Sequence, residues 1–121
     1  MIKNIDFVSV PVADQKRALL FYTEKLGFTV FTDQPFDDRQ HWIELKVAGA
    51  QTKVVLFTPP GQEDRVGGFL NASFTCDDVR KTYAELRGKG VEFLGEPKKE
   101  SWGTMVILKD SEGNQLLLSE K

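Results

Sequence analysis

The sequence has one cysteine, one histidine, no basic block and no long apolar run, and each scarcity removes a class of protein. A lone Cys76 rules out an internal disulfide. Lys and Arg come no denser than pairs such as Arg80-Lys81 and Lys98-Lys99, and the formal net charge is −2. Binding nucleic acid needs a concentrated basic surface to displace counterions, so no nucleic-acid partner is expected. No stretch approaches the roughly 18 consecutive apolar residues of a membrane span, so no membrane partner is expected either. A strand-like pattern begins by Ile5, which leaves no room for a signal peptide ahead of it. Together these features point to the cytoplasm.

What is present is ordinary globular material. The 121 residues are 40% hydrophobic and 28% charged, with nine Phe, two Tyr and two Trp. That fits a single domain over residues 1–121, long enough to bury about two-thirds of its unfolded surface without staples.

The chain also repeats itself. An alternating stretch, Phe7 to Asp14, gives way to a helical pattern, and Asn71 to Asp78 does the same in the second half. Asp14 and Asp78 each stand at a helix start, where a carboxylate accepts from free backbone N–H groups. Ala18, Phe21, Tyr22, Lys25 and Leu26 then fall at helical spacing, as do Val79, Tyr83, Leu86 and Gly90. Gly27 and Gly90 stop the two helices. A strand follows each stop, over 28–31 and 91–94, and two more follow in each half, over 41–47 and 53–58, then 104–109 and 115–119. The order is β-α-β-β-β twice, an α+β fold with repeat one at about 2–60 and repeat two at about 67–120. The Pro- and Gly-rich stretch 59–68 links them.

Because side chains alternate along a strand, parity assigns two faces. Val8, Val10, Val12, Ile43, Leu45, Val55, Phe57, Ala72, Phe74, Cys76, Leu116 and Leu118 are expected under the helices. The opposite face is expected to carry Phe7, Ser9, Trp42, Glu44, Val54, Leu56, Thr58, Asn71, Ser73, Thr75, Met105, Gln115, Leu117 and Ser119. Aromatic rings with a few neutral polar groups fit the lining of a small-molecule pocket. A surface covered by a partner subunit or by the chain's own loops has the same composition.

Five segments carry a family resemblance: Val10-Pro-Val-Ala-Asp14, Phe21-Tyr22 with Leu26-Gly27-Phe28, Asp77-Asp78-Val79, Gly90-Val91-Glu92-Phe93, and Trp102-Gly103 with Asp110-Ser-Glu-Gly-Asn114. By their order and spacing, the chain resembles the vicinal-oxygen-chelate superfamily, which holds the glyoxalases, bleomycin-resistance proteins and extradiol dioxygenases. The resemblance runs from about Ile2 to Glu120. It implies a curved mixed sheet forming a cup, with the helices on its outer face. Metal-dependent members bind a divalent ion in that cup, where it acts as a Lewis acid. The two His-type ligand positions fall on Phe7 and Asn71, and the two Glu-type positions on Leu56 and Leu117. None of the four is a strong donor, whereas zinc or nickel needs three or four. The expectation is a member without the metal centre and without a cofactor.

The candidate ligand-binding residues are therefore Phe7, Ser9, Trp42, Glu44, Leu56, Asn71, Ser73, Trp102, Met105, Gln115 and Leu117. Trp42 and Trp102 offer stacking surfaces, and Asn71, Ser73 and Gln115 offer hydrogen bonds. Glu44 is the one candidate base, against the blander reading of a solvated or Lys-paired carboxylate. Parity puts His41 on the far side from Trp42, which argues against a catalytic role. The resemblance implies a metal-free protein that sequesters or senses a small, partly apolar ligand and pairs as a homodimer. The alternatives are a metal-independent lyase or isomerase using Glu44, and a structural or regulatory subunit with a protein partner.

Overall fold

The computed structural model describes residues 1–120 and resolves the chain into two compact units, Met1–Val66 and Gly67 onward. Both are α+β, and the strands divide into two mixed sheets, one in each unit.

The first unit runs β1 (Phe7–Val10), α1 (Gln15–Leu20), β2 (Thr29–Pro35), β3 (His41–Lys46) and β4 (Lys53–Leu56), with sheet order β1-β4-β3-β2. β1 lies parallel to β4, and the other pairs are antiparallel. Asp14 caps α1 by accepting from the Arg17 N–H at 3.1 Å. The helix then widens into a π turn over Phe21–Lys25, where the helical spacing alone predicts a continuous α-helix. The Thr23 hydroxyl donates to the Leu19 carbonyl at 2.7 Å, and the Leu26 N–H reaches Phe21 at 3.3 Å. A side chain that takes a backbone acceptor loosens the ordinary helical ladder. Gly27, at φ 78°, ends the segment in the left-handed region. The apolar face of this stretch, Ala18, Phe21 and Tyr22, is buried along with Val10, Leu45, Val54 and Leu56 of the strands.

The second unit runs β5 (Phe69–Thr75), α2 (Val79–Gly88), β6 (Glu92–Phe93), β7 (Lys98–Glu100), β8 (Gly103–Lys109) and β9 (Gln115–Glu120). Its sheet order is β5-β9-β8-β6, with β7 also pairing β8. The short strand β7 was not legible in the sequence, because Lys98-Lys99-Glu100 carries no apolar alternation. α2 packs against β8 and β9 through Val79, Val106 and Leu118, with Phe74, Cys76, Tyr83 and Phe93 around them. Cys76 is thus a packing residue, as parity predicts.

The β8–β9 turn is tied down by its own side chains. Asp110 accepts from the N–H groups of Glu112 at 2.8 Å and Asn114 at 2.9 Å, and from the Asn114 amide at 3.0 Å. The Asn114 side-chain oxygen in turn accepts from Gly67 N–H at 2.7 Å. The turn therefore anchors the chain entering β5. Asn114 is buried, so Asn114→Ala leaves polar groups without partners. The expected loss is about 1–3 kcal/mol of unfolding free energy, read as a lower urea midpoint at unchanged slope.

Candidate functional site

Strand pairing, not strand parity alone, decides which side chains meet in the first unit. β4 is apolar at every step from Val54 to Phe57, so alternation carries no signal there. Pairing sets Leu45 opposite Val54 and Glu44 opposite Val55. It likewise sets Ser9 opposite Val55 and Val10 opposite Leu56. Residues directly opposite share a face. Val55 and Phe57 therefore join Trp42, Glu44, Phe7 and Ser9, while Val54 and Leu56 turn to the buried side with Leu45. This corrects two expectations. Leu56 is no member of the candidate site, being fully buried with the helix-side residues, and Val55 and Phe57 stand on the face assigned to Val54, Leu56 and Thr58.

On the Trp42 face the aromatic rings form a cluster. Trp42 is 5.4 Å from Phe7 in an edge contact, 5.1 Å from Phe57 and 6.4 Å from Phe36 by ring centroids. Phe36 also meets Phe57 edge-on at 4.8 Å. Each such pair adds about 0.5–1.5 kcal/mol beyond simple burial. Phe57 is buried at the base, Trp42 is half-buried, and Phe7 and Phe36 are exposed at 36% and 57%. The Trp42 indole N–H donates to Glu44 Oε1 at 3.0 Å. Farther along, Phe31 lies under two ammonium groups, Lys46 at 5.8 Å and Lys53 at 5.2 Å. Lys53 is also held by Asp6 at 2.9 Å, which raises its pKa above the ordinary lysine range. Phe36, Phe57, Val55, Phe31, Lys46 and Lys53 were all absent from the sequence-derived site. The charges and β4 residues needed the pairing, and Phe36 needed a loop conformation.

That loop is built by polar side chains. Asp37 Oδ1 accepts from the Arg39 and Gln40 N–H groups, each at 2.8 Å. Gln40 then clamps Thr58, donating to its carbonyl at 2.7 Å and accepting from its N–H at 3.0 Å. The Thr58 hydroxyl closes the sheet end by bonding Val12 N–H at 2.7 Å and the Val12 carbonyl at 2.8 Å. Phe36 is so held against Phe57.

A separate, open concavity of about 850 Å³ lies by α1, lined by Gln15, Asp33, Asp37, Gln40 and His41 among others. Several of its polar groups are already engaged with one another or with backbone. Gln15 bonds the backbone of His41 and Leu56, and His41 Nδ1 pairs with Asp33 at 2.7 Å. Size does not outweigh this: the concavity reads as the polar end of the sheet, with His41 away from Trp42 as parity predicts.

In the second unit, the residues not under α2 are Phe69, Ser73, Thr75, Met105, Ile107, Lys109, Gln115, Leu117 and Ser119, which pairing aligns across β5, β9 and β8, with Lys109 ion-paired to Glu92. Ser73 and Ser119 share a hydroxyl hydrogen bond at 3.0 Å. Asn71 sits where β5 loses register between Phe69 and Ser73, at φ 61°. Trp102 occupies the turn between β7 and β8 and is exposed.

The donor chemistry does not fit a metal centre. Phe7 and Leu117 have no lone pair to offer, and the Glu-type position on β4 is apolar whether read at Leu56 or at Val55. Among the described residues no group of three or more His, Cys, Asp and Glu is placed to hold a metal ion. No described helix is long and apolar enough to cross a membrane.

A family model described as Glyoxalase/Bleomycin resistance protein/Dioxygenase superfamily matches residues 4–118. The uncharacterised protein YetH of Bacillus subtilis (strain 168) is 40% identical over 120 residues, covering 99% of this chain and all of that protein. A crystal structure of a superfamily member from Sphaerobacter thermophilus DSM 20745 aligns at TM-score 0.90 and 31% identity, over 99% of this chain and 98% of that one. TnmS3, an antibiotic binding protein from Streptomyces sp. CB03234, aligns at TM-score 0.82 and 33% identity, over 98% and 95%.

The two backbone N–H groups of Arg39 and Gln40, and then the Arg39 charge, hold the Asp37 carboxyl below the ordinary carboxylate range. A depressed carboxylate contributes its order above its unfolded pKa and loses it as pH falls through the folded value. The protection factors of the Arg39 and Gln40 amides, taken relative to intrinsic exchange at each pH, are therefore expected to fall on acidification through that range, and already at neutral pH in Asp37→Ala.

Proposed function

The chain belongs to the Glyoxalase/Bleomycin resistance protein/Dioxygenase superfamily, and on that footing we propose that it binds a small, partly apolar molecule without a metal, to sequester or sense it. The observation that carries this reading is the aromatic cluster of Phe7, Phe36, Trp42 and Phe57 on the side of the sheet away from α1. Partly exposed rings over a buried one, with an oriented carboxylate beside them, are what an aromatic or apolar guest needs for stacking and for orientation. The replacement of strong donors by Phe7, Asn71 and Leu117 supports a site that works by contact and not by chelation. The likeness to TnmS3, described as an antibiotic binding protein, agrees in kind. Within the second unit, Ser73, Met105, Gln115 and Leu117 are proposed as ligand-contact residues of that unit's own face. A homodimer and a cytoplasmic location belong to the same proposal.

A second reading keeps Glu44 as the base of a metal-independent lyase or isomerase. One observation favours it: the indole N–H fixes the direction of the carboxylate. Any turnover found should then vanish in Glu44→Gln, and turnover that survives removes the named base.

Thermal-shift screening of small planar aromatic compounds tests the binding reading. Hits are expected, and Trp42→Ala should weaken them by roughly tenfold or more, as for a central aromatic anchor. A screen without hits, or hits indifferent to Trp42→Ala, would sink it.

A further inference from the structure

We infer that the ligand class of the Trp42 face is a planar aromatic molecule bearing a cationic nitrogen, with the ring among Trp42, Phe7 and Phe36 and the cation on Glu44. This rests on the ligand-binding reading above and adds the charge that the ligand must carry.

Glu44 is half-buried, opposite Val55 on one side and Thr32 on the other, with Trp42 two residues before it. Its Oε1 accepts the Trp42 indole N–H. Its Oε2 has no donor among the described residues, and no Lys or Arg nitrogen there comes within ion-pair distance of it. The two nearby ammonium groups make their close contacts elsewhere, although Lys53 feels the Glu44 charge at longer range. Lys53 is bonded to Asp6, and both Lys53 and Lys46 stand over Phe31.

Glu44 is half-buried, so Oε2 is open to solvent in the free protein. A flat guest lying on the rings displaces water from it. The oxygen then needs a donor, because a carboxylate stripped of water and left unpaired is costly. An apolar guest brings none, and an anionic one adds repulsion. A neutral hydroxyl satisfies the hydrogen bond only. A protonated amine or amidinium gives a charge-assisted bond, and the faces of neighbouring rings attract the same cation. The carboxylate therefore selects for a cation once the rings have selected for a plane.

Three probes that share one ring separate these terms: 2-naphthylmethylammonium, 2-naphthylmethanol and 2-naphthoate. Each is titrated into the full chain at neutral pH. Calorimetry gives Kd, and the Trp42 indole N–H resonance reports occupancy next to Glu44. The ammonium is expected to bind about tenfold or more tighter than the alcohol, the margin of a charge-assisted over a neutral hydrogen bond, with the naphthoate weakest. Glu44→Gln should bring the ammonium-to-alcohol ratio towards one, and Glu44→Asp should keep part of it; amide spectra of both variants report the fold. Equal binding by all three probes overturns the charge inference and leaves the ligand-binding reading standing. Tightest binding by the naphthoate also overturns it and assigns selection to Lys46 and Lys53. If no probe moves the Trp42 resonance, the ligand-binding reading fails, and the inference with it.

Discussion

The first unit depends on one register. Leu45 stands opposite Val54, and Glu44 opposite Val55. A slip of a single residue would carry every side chain of β4 to the other face. Phe57 would then leave Trp42, Leu56 would leave the buried side, and the rings would lose their base. Three polar clamps resist that slip. Gln15 ties the His41 and Leu56 backbones together, Gln40 ties itself to Thr58, and the Thr58 hydroxyl ties to Val12. These bonds cross from β3 and the α1 entrance to β4 and its end, so they fix the strands lengthwise as the ladder fixes them sideways.

The same repeat has been put to two uses. Both helices begin on an Asp cap, Asp14 and Asp78, and both following turns pass through a left-handed Gly, Gly27 and Gly90. In both units the helix covers an apolar face. The faces left over differ in chemistry. One carries a ring cluster, a carboxylate and two ammonium groups, and the other carries hydroxyls, an amide, apolar chains, the lone ring of Phe69 and Lys109 paired to Glu92. The cluster of four rings therefore resides in the first repeat.

Much of this was legible in the sequence, for identifiable reasons. The caps, the stop glycines and the β-α-β-β-β order follow from local chemistry. Trp42 and Glu44 were placed correctly because β3 alternates cleanly, His-Trp-Ile-Glu-Leu-Lys, between buried and less buried residues. β4 does not alternate, and its parity could be learned only from its neighbours, which is why Leu56 and Phe57 were each assigned to the wrong face. Phe36 was hidden for another reason. Its position depends on the Asp37 turn and the Gln40 clamp, contacts made to residues distant in sequence. Lys46 and Lys53 drew no reading from the sequence, because only the folded strands bring both over Phe31.

The central claim is that this face recognises its ligand by rings and a carboxylate in place of a chelated ion. Elemental analysis of the protein purified without chelator, repeated after incubation with zinc, nickel and iron(II), tests it most directly. Far less than one metal ion per chain is expected in every sample. One equivalent of any of the three, retained through desalting, would contradict it.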